Sequence, residues 1–168
     1  MLCIGLPPSV DAQCTTLVLG SMPGVRSLEE QQYYAHPRNR FWPLMAMLFG
    51  EKLPVAYKAR LAMLHRHHVG LWDTIGQCER EGSLDSAIHD ERPNDIAALL
   101  EQYPAISQIL CNGGKAHAAF VRYNRALLGR GNLVVWAMPS TSPANARCSL
   151  DKLQSLWGPC LQGEGTVR

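Results

Sequence analysis

Long hydrophobic runs are absent from this sequence of 168 residues. No stretch reaches the roughly 20 apolar residues that an α-helix needs to cross a bilayer. Residues 1–13 do not combine a basic segment with a long apolar one, as a secretory signal would. These absences predict a cytoplasmic protein with no membrane partner. A chain of this length with 46% hydrophobic residues can bury one core, so we expect a single domain over residues 1–168.

Paired cysteine motifs are also absent. The sequence has no C-x-x-C pair, which argues against a zinc ribbon and against an iron–sulfur ligand set. Three histidines, His65, His67 and His68, lie at the end of a predicted helix, where the helix dipole favours them without a metal. We therefore expect no metal, no cofactor and six reduced, mostly packed thiols.

A strong excess of one charge is missing as well. The formal net charge of +2 and the pI near 8.3 do not by themselves indicate a nucleic-acid partner. The segment from Cys111 to Lys115 leaves a predicted strand and opens a helix, but it lacks the full P-loop pattern and so does not predict nucleotide binding. Arginines do cluster locally, at Arg38, Arg40, Arg122, Arg125, Arg130 and Arg147.

Strand and helix patterns alternate along the chain. This alternation predicts an α/β fold, a three-layer α/β/α sandwich with a mostly parallel four-stranded sheet. The predicted strands are residues 15–20, 68–72, 106–111 and 132–137, and the predicted helices are residues 40–49 with Asn39 as cap, 55–67, 94–103 with Asn94 as cap, 114–127 and 150–157. Residues 73–93 are the one long irregular segment, and loops of that length are often functional.

Two turn-rich loops each follow a predicted strand. Residues 19–24 read Leu-Gly-Ser-Met-Pro-Gly and lead to a polar, aromatic segment at residues 34–42. Residues 138–145 read Met-Pro-Ser-Thr-Ser-Pro-Ala-Asn. An open parallel sheet places its ligand contacts in loops at the carboxyl ends of its strands. The two loops therefore predict one shared site.

These loops resemble the uracil-DNA glycosylase superfamily, in which a G-x-x-P-G or G-x-x-P-Y motif and a late P-S-x-S motif flank an extruded base. The string A-H-P-x-N-R-F-W at residues 35–42 is the most specific element and is similar to the hypoxanthine-DNA glycosylase branch. The resemblance covers about residues 15–157. Two positions depart from the superfamily pattern. Met22 stands where many members carry Asp or Asn, and Met138 replaces the usual His.

The resemblance implies a set of catalytic groups. Asn39 is the first choice for orienting water or polarising the sugar, because the branch lacks the carboxylate of the first motif. An amide is a poor base, so Asn39 would act by orientation. Backbone N–H groups of Ser21, Met22 and Gly24 would receive the charge that develops on the departing base.

The resemblance also implies contacts to the flipped base and to DNA. Tyr34 would stack on the base, although Tyr33 could equally do so. The other base-binding residues would be Asn112, Gly20 and Gly24. Ser140, Thr141 and Ser142 would donate to phosphates, Pro143 would stiffen the loop that fills the vacated space, and Arg147 would contact a phosphate. Asp73 is either a pocket carboxylate or a loop cap.

The function implied by the resemblance is removal of hypoxanthine from deoxyinosine in single- or double-stranded DNA, leaving an abasic site. A Schiff-base lyase step needs a lysine, and none of Lys52, Lys58, Lys115 and Lys152 lies in the two motifs, so we expect a monofunctional glycosylase and a monomer. A uracil or mismatch-specific enzyme is the alternative. A non-catalytic module that binds lesions, and a nucleotide-binding enzyme, are alternatives of other classes.

Overall fold

A four-stranded parallel sheet forms the centre of the computed structural model, which describes residues 1–162. Its spatial order is β3 (Val69–Asp73), β2 (Thr16–Gly20), β6 (Gln108–Asn112) and β7 (Val134–Met138). Every neighbouring pair is parallel, so the carboxyl ends of the strands share one edge. Residues 163–168, which the predicted domain includes, lie outside the described residues.

Helices cover both faces of this sheet. They are α1 (Val25–Glu30), α2 (Phe41–Phe49), α3 (Tyr57–Arg66), α4 (Ile96–Gln102), α5 (Gly114–Tyr123) and α6 (Leu150–Leu161). Val18 of β2 packs into a core with α2, α3 and α6, whereas Leu17 and Leu19 pack into a second core with α4 and α5. Successive side chains of a strand point to opposite faces, so one short strand supplies both cores. The predicted three-layer sandwich is confirmed.

A second sheet lies beside the first. It is antiparallel, in the order β1 (Leu2–Ile4), β4 (Ile75–Glu79) and β5 (His89–Pro93). The prediction that residues 73–93 are irregular was therefore wrong. The β4–β5 pairing has two register shifts, which break the alternation that identifies strands, and β1 comes from the far end of the chain. A 3₁₀ helix at Asp85–Ala87 follows the turn between β4 and β5.

Two of the predicted helices differ in the structure. Asp95, not Asn94, caps α4, because its carboxylate accepts from the backbone N–H of Ala98 at 3.0 Å. Asn94 instead donates its side-chain amide to the backbone oxygen of Asp73 at 2.8 Å. The predicted helix 114–127 is divided into α5 and a 3₁₀ helix at Arg125–Gly129. Among residues 1–162, no helix is long and apolar enough to span a membrane.

Trp157 of α6 links the core to the loop after β7. Its ring is fully buried with α2, and its indole N–H donates to the backbone oxygen of Pro139 at 3.0 Å. We expect Trp157→Ala to lower the free energy of unfolding by about 3–5 kcal/mol, since it empties a large core volume. Trp157→Phe should cost clearly less, because it retains most of the ring. Urea unfolding measures both, and equal losses would contradict this assignment.

Candidate active site at the carboxyl edge of the sheet

A cavity of about 550 Å³ lies at the carboxyl edge of the parallel sheet. Loops after β2, β6 and β7 form three of its walls, and the β4–β5 hairpin contributes Ser83 to Ser86 as a fourth. The cavity lining includes these predicted site residues: Gly20, Ser21, Tyr34, Asn39, Asn112, Ser140, Thr141, Ser142 and Pro143. Folding thus brings together segments that are more than 100 residues apart.

A smaller chamber of about 150 Å³ adjoins this cavity. Gly24 and Asp73 line the chamber but not the larger cavity, whereas Tyr34 and Asn39 line both. Tyr34 and Asn39 therefore stand at the junction between the two spaces.

The side-chain oxygen of Asn39 is fully engaged. It accepts from the backbone N–H of Phe41 at 2.9 Å and from the hydroxyl of Thr141 at 2.9 Å. A backbone N–H can only donate, so the amide oxygen must face it, and the orientation of the side chain is determined. The NH₂ group of Asn39 remains to act toward the cavity, and it is a hydrogen-bond donor only. The predicted bond from Asn39 to the start of α2 exists, although Arg40 occupies the cap position.

Asn112 and Thr141 form a reciprocal pair behind Asn39. The Asn112 oxygen accepts from the backbone N–H of Thr141, and the Asn112 NH₂ donates to the Thr141 hydroxyl, both at 3.0 Å. That hydroxyl in turn donates to Asn39. Thr141 is fully buried, and both of its donors are used inside the protein. Thr141 therefore holds the loops together and has no donor left for the phosphate contact implied by the resemblance.

Arg40 performs a role that the sequence analysis missed. Its guanidinium donates to the backbone oxygens of Ser142 at 2.7 Å and Asn145 at 2.9 Å. The backbone N–H of Arg40 donates to the backbone oxygen of Thr141. Charge-assisted bonds of this kind are stronger than neutral ones. Arg40 thus holds the loop after β7 against the segment at residues 34–42. Its position directly after Asn39 was the available signal.

Tyr34, rather than Tyr33, faces the cavity. The Tyr33 ring is buried, and its hydroxyl donates to the backbone oxygen of Pro7 at 2.7 Å. The Tyr34 ring stacks on Phe41 with centroids 4.1 Å apart, so one face is already covered. Tyr34 also has a left-handed backbone, with φ of 56°. Stacking on a base by Tyr34 remains a prediction that this placement favours.

Other predicted residues lie farther from the cavity. The side chain of Met22 is buried in a small cluster with Cys3, Ile75 and Cys78, so only its backbone could serve the site. Met138 is buried in the core, and its backbone oxygen accepts from Gly113. Arg147 is exposed and lines neither space.

Asp73 is the pocket carboxylate that the sequence analysis left open. It ends β3 directly beside Gly20 of β2 and is only 4% exposed. Burial and, to a lesser extent, the negative charge of Asp85 raise the pKa of its carboxyl to about 7, against the opposing positive charge of Arg80. Its Oδ2 atom is buried without a hydrogen-bond partner, and no hydrogen bond contributes to its pKa, so among the described residues its side chain caps no loop.

The predicted histidine cluster has other partners. His65 pairs with the hydroxyl of Ser9 at 3.1 Å, and His67 pairs with Glu51 at 2.5 Å while stacking on Phe49. Within residues 1–162, no group of three or more His, Cys, Asp or Glu side chains is placed to hold a metal ion.

Gly20 is required by the close approach of Asp73. A Cβ on Gly20 would lie well inside van der Waals contact of Asp73 Oδ1, and 3.4 Å from the Tyr34 hydroxyl. We expect Gly20→Ala to destabilise the fold by about 1–3 kcal/mol through overpacking. Gly114→Ala is the control, because nothing lies within 4 Å of its added methyl group. Thermal unfolding compares the two variants. An unchanged melting temperature for Gly20→Ala would show that Asp73 moves aside without cost.

Comparisons with known proteins agree with the geometry. The family model "Uracil DNA glycosylase superfamily" matches residues 7–158. A protein named hypoxanthine DNA glycosylase from Methanosarcina acetivorans is 40% identical over 91% of this chain and 94% of its own, and one from Methanosarcina barkeri is 41% identical over 67% and 72%. A solution NMR structure from M. acetivorans, provisionally assigned as a uracil DNA glycosylase, matches with a TM-score of 0.79 and 36% identity over 94% of this chain and 98% of that one. The chain belongs to the uracil-DNA glycosylase superfamily.

Proposed function

We propose that this protein is a monofunctional DNA glycosylase that removes hypoxanthine from deoxyinosine and leaves an abasic site. The observation that carries the proposal is the hydrogen-bonded series Asn112–Thr141–Asn39, which joins three loops around a cavity large enough for a base. Relatives that are about 40% identical bear the name hypoxanthine DNA glycosylase, which supports the choice of base.

The cavity fits a base that has left its duplex. An enzyme that acts on a base must first extrude it, at a cost of a few kcal/mol. Tyr34 offers one ring face at the junction of the two spaces, and stacking on an aromatic ring offsets about 1–3 kcal/mol of that cost. The buried Asn112 keeps the loop after β7 in a fixed position, because both the oxygen and the NH₂ group of its side chain are hydrogen-bonded to Thr141.

The hydrogen bonds of Asn39 define its part in bond breaking. Its oxygen already accepts two donors, so Asn39 cannot take a proton from water. Its NH₂ group can hold the oxygen of a water molecule at the sugar. When no general base activates the water, the water can attack only after the nucleobase has largely departed. Such a reaction is dissociative. Negative charge then develops on the base, and backbone N–H groups of Ser21, Met22 and Gly24 would stabilise it.

Contacts to DNA surround the cavity mouth. Ser140 and Ser142 line it, and Pro143 stands on the same loop, which Arg40 holds in place. Arg147 and Arg38 are exposed near this face of the chain and carry positive charge that phosphates attract. We propose that the loop from Ser140 to Pro143 enters the duplex where the base has left, and that the protein acts as a monomer.

The first prediction concerns the substrate. In a single-turnover assay with end-labelled duplexes in EDTA, we expect strand cleavage at deoxyinosine only after alkali, because a monofunctional glycosylase leaves an intact abasic site. Undamaged duplex is the control. Cleavage at deoxyuridine instead would identify the uracil enzyme. Cleavage of neither, with salt-sensitive binding retained, would identify a lesion-binding module.

The second prediction concerns Asn39. Asn39→Asp keeps an acceptor for Phe41 and Thr141 but loses the NH₂ group, whereas Asn39→Ala loses both. We expect each to slow base release by about 100-fold or more, as loss of a positioned donor does, while duplex binding persists. Asn132→Ala, an exposed amide outside the cavity, is the matched control. Full activity in Asn39→Asp would show that the side-chain oxygen of residue 39, and not its NH₂ group, is needed for base release.

A further inference from the structure

Asp73 is a buried acid that the proposed mechanism does not yet use. It lines the small chamber that shares Tyr34 and Asn39 with the larger cavity. It is more than nine-tenths buried, and its Oδ2 atom has no hydrogen-bond partner. The Tyr34 hydroxyl, which lies against the same Gly20, is also buried without a partner. Buried polar atoms without partners are rare in folded proteins, and each calls for an explanation.

Asp73 and Tyr34 both line the chamber, so a ligand that enters it comes against both residues. Gly20 allows this arrangement, because its missing side chain lets the carboxyl group and the Tyr34 hydroxyl approach the backbone of β2. The glycine of the first motif therefore provides the space that the Asp73 carboxyl group occupies. A flat heterocycle in the chamber would lie beside the Tyr34 ring and the Asp73 carboxyl group.

The surroundings of Asp73 favour its neutral form. Burial raises the pKa of its carboxyl most, and the negative charge of Asp85, on the 3₁₀ helix, acts in the same direction, so the pKa is about 7. Arg80, buried beneath the first motif with one N–H donated to the backbone oxygen of Pro23, opposes them. Tyr33, Tyr34 and Tyr57 also lie near the carboxyl group, and Arg26 and His36 line the chamber with it. A neutral acid near pH 7 is suited to donate a proton.

We propose that Asp73 is the general acid that protonates a ring nitrogen of the departing purine. This role rests on the proposed function. As the bond between C1′ and N9 breaks, its electron pair moves to the base, and the proton of Asp73 neutralises that base. Water held by Asn39 then bonds to C1′ and releases a proton to solvent, from which Asp73 is reprotonated. The sum is hydrolysis, with hypoxanthine and the abasic sugar as neutral products.

This role completes the division of labour in the site. Asn39 cannot exchange a proton, because its oxygen is engaged and an amide is not basic. Arg80 can stabilise the carboxylate that Asp73 becomes after the transfer, because its Nε and Nη1 atoms are buried without partners. Asn39 therefore positions the water that attacks the sugar, and Asp73 protonates the departing nucleobase.

The test is the pH dependence of base release from a deoxyinosine duplex under single turnover. The wild-type rate should be constant at low pH and fall tenfold per pH unit above about 7, as Asp73 loses its proton. Asp73→Asn should be at least about 100-fold slower at pH 6 and show no such fall. Asp90→Asn, which changes an exposed carboxylate on β5, is the matched control and should follow wild type.

Asp85→Asn keeps this test decisive if Asp73→Asn does not fold. Removal of the negative charge beside Asp73 should move the midpoint of the pH profile to lower pH, while the side-chain oxygen can still accept from the Ser21 hydroxyl. An unmoved midpoint, or wild-type rates in Asp73→Asn, would overturn the role of Asp73 alone. If wild type releases no hypoxanthine, the proposed function and this role both fall.

Thermal unfolding supplies a readout that needs no substrate. The unfolded carboxyl titrates near its ordinary value of 3.8, so between about pH 4 and 7 the folded state binds the extra proton and wild type loses stability as pH rises. Asp73→Asn lacks that group. Its melting temperature relative to wild type should therefore rise from pH 4 to 7 and stay level above. A constant difference would show that Asp73 ionises normally and would overturn the proposal.

Discussion

The hydrogen-bonded series from Asn112 through Thr141 to Asn39 is the constraint on which the site depends. Asn112 ends β6, Thr141 lies in the loop after β7 and Asn39 precedes α2, and each bond leaves a defined set of free donors. The series fixes the orientation of the Asn39 amide, and so turns a residue that could accept or donate into a donor. Arg40 secures the same loops from outside, through backbone oxygens alone.

The parallel sheet supplies the rigidity behind this series. Four short strands end at one edge, and two cores on opposite faces hold them, so the loops start from fixed points. The small antiparallel sheet adds the fourth wall and brings Asp85 to the charge environment of Asp73. Carboxyl ends of parallel strands are where such folds bind ligands, and this cavity follows that rule.

Two polar groups with different surroundings divide the proposed chemistry. Asn39 has both oxygen lone pairs in use and can only donate, whereas Asp73 is buried, has a raised pKa and is unpartnered at Oδ2. The superfamily pattern places polar groups at positions that here hold Met22 and Met138, and both of those side chains are buried in apolar clusters. The site therefore relies on groups from other elements of the same edge.

The sequence by itself determined the family, the three-layer fold and most of the cavity lining, because strand patterns and the string at residues 35–42 are local features. It did not reveal the second sheet, whose strands pair β1 with a segment more than 70 residues away. Only the tertiary structure decided the roles of Thr141, Arg40 and Asp73. Thr141 was expected to contact phosphates and is buried, and Asp73, which the sequence left open between a pocket carboxylate and a loop cap, is a buried carboxyl with a raised pKa. Burial and hydrogen-bond partners set these properties, and both arise from contacts between distant segments.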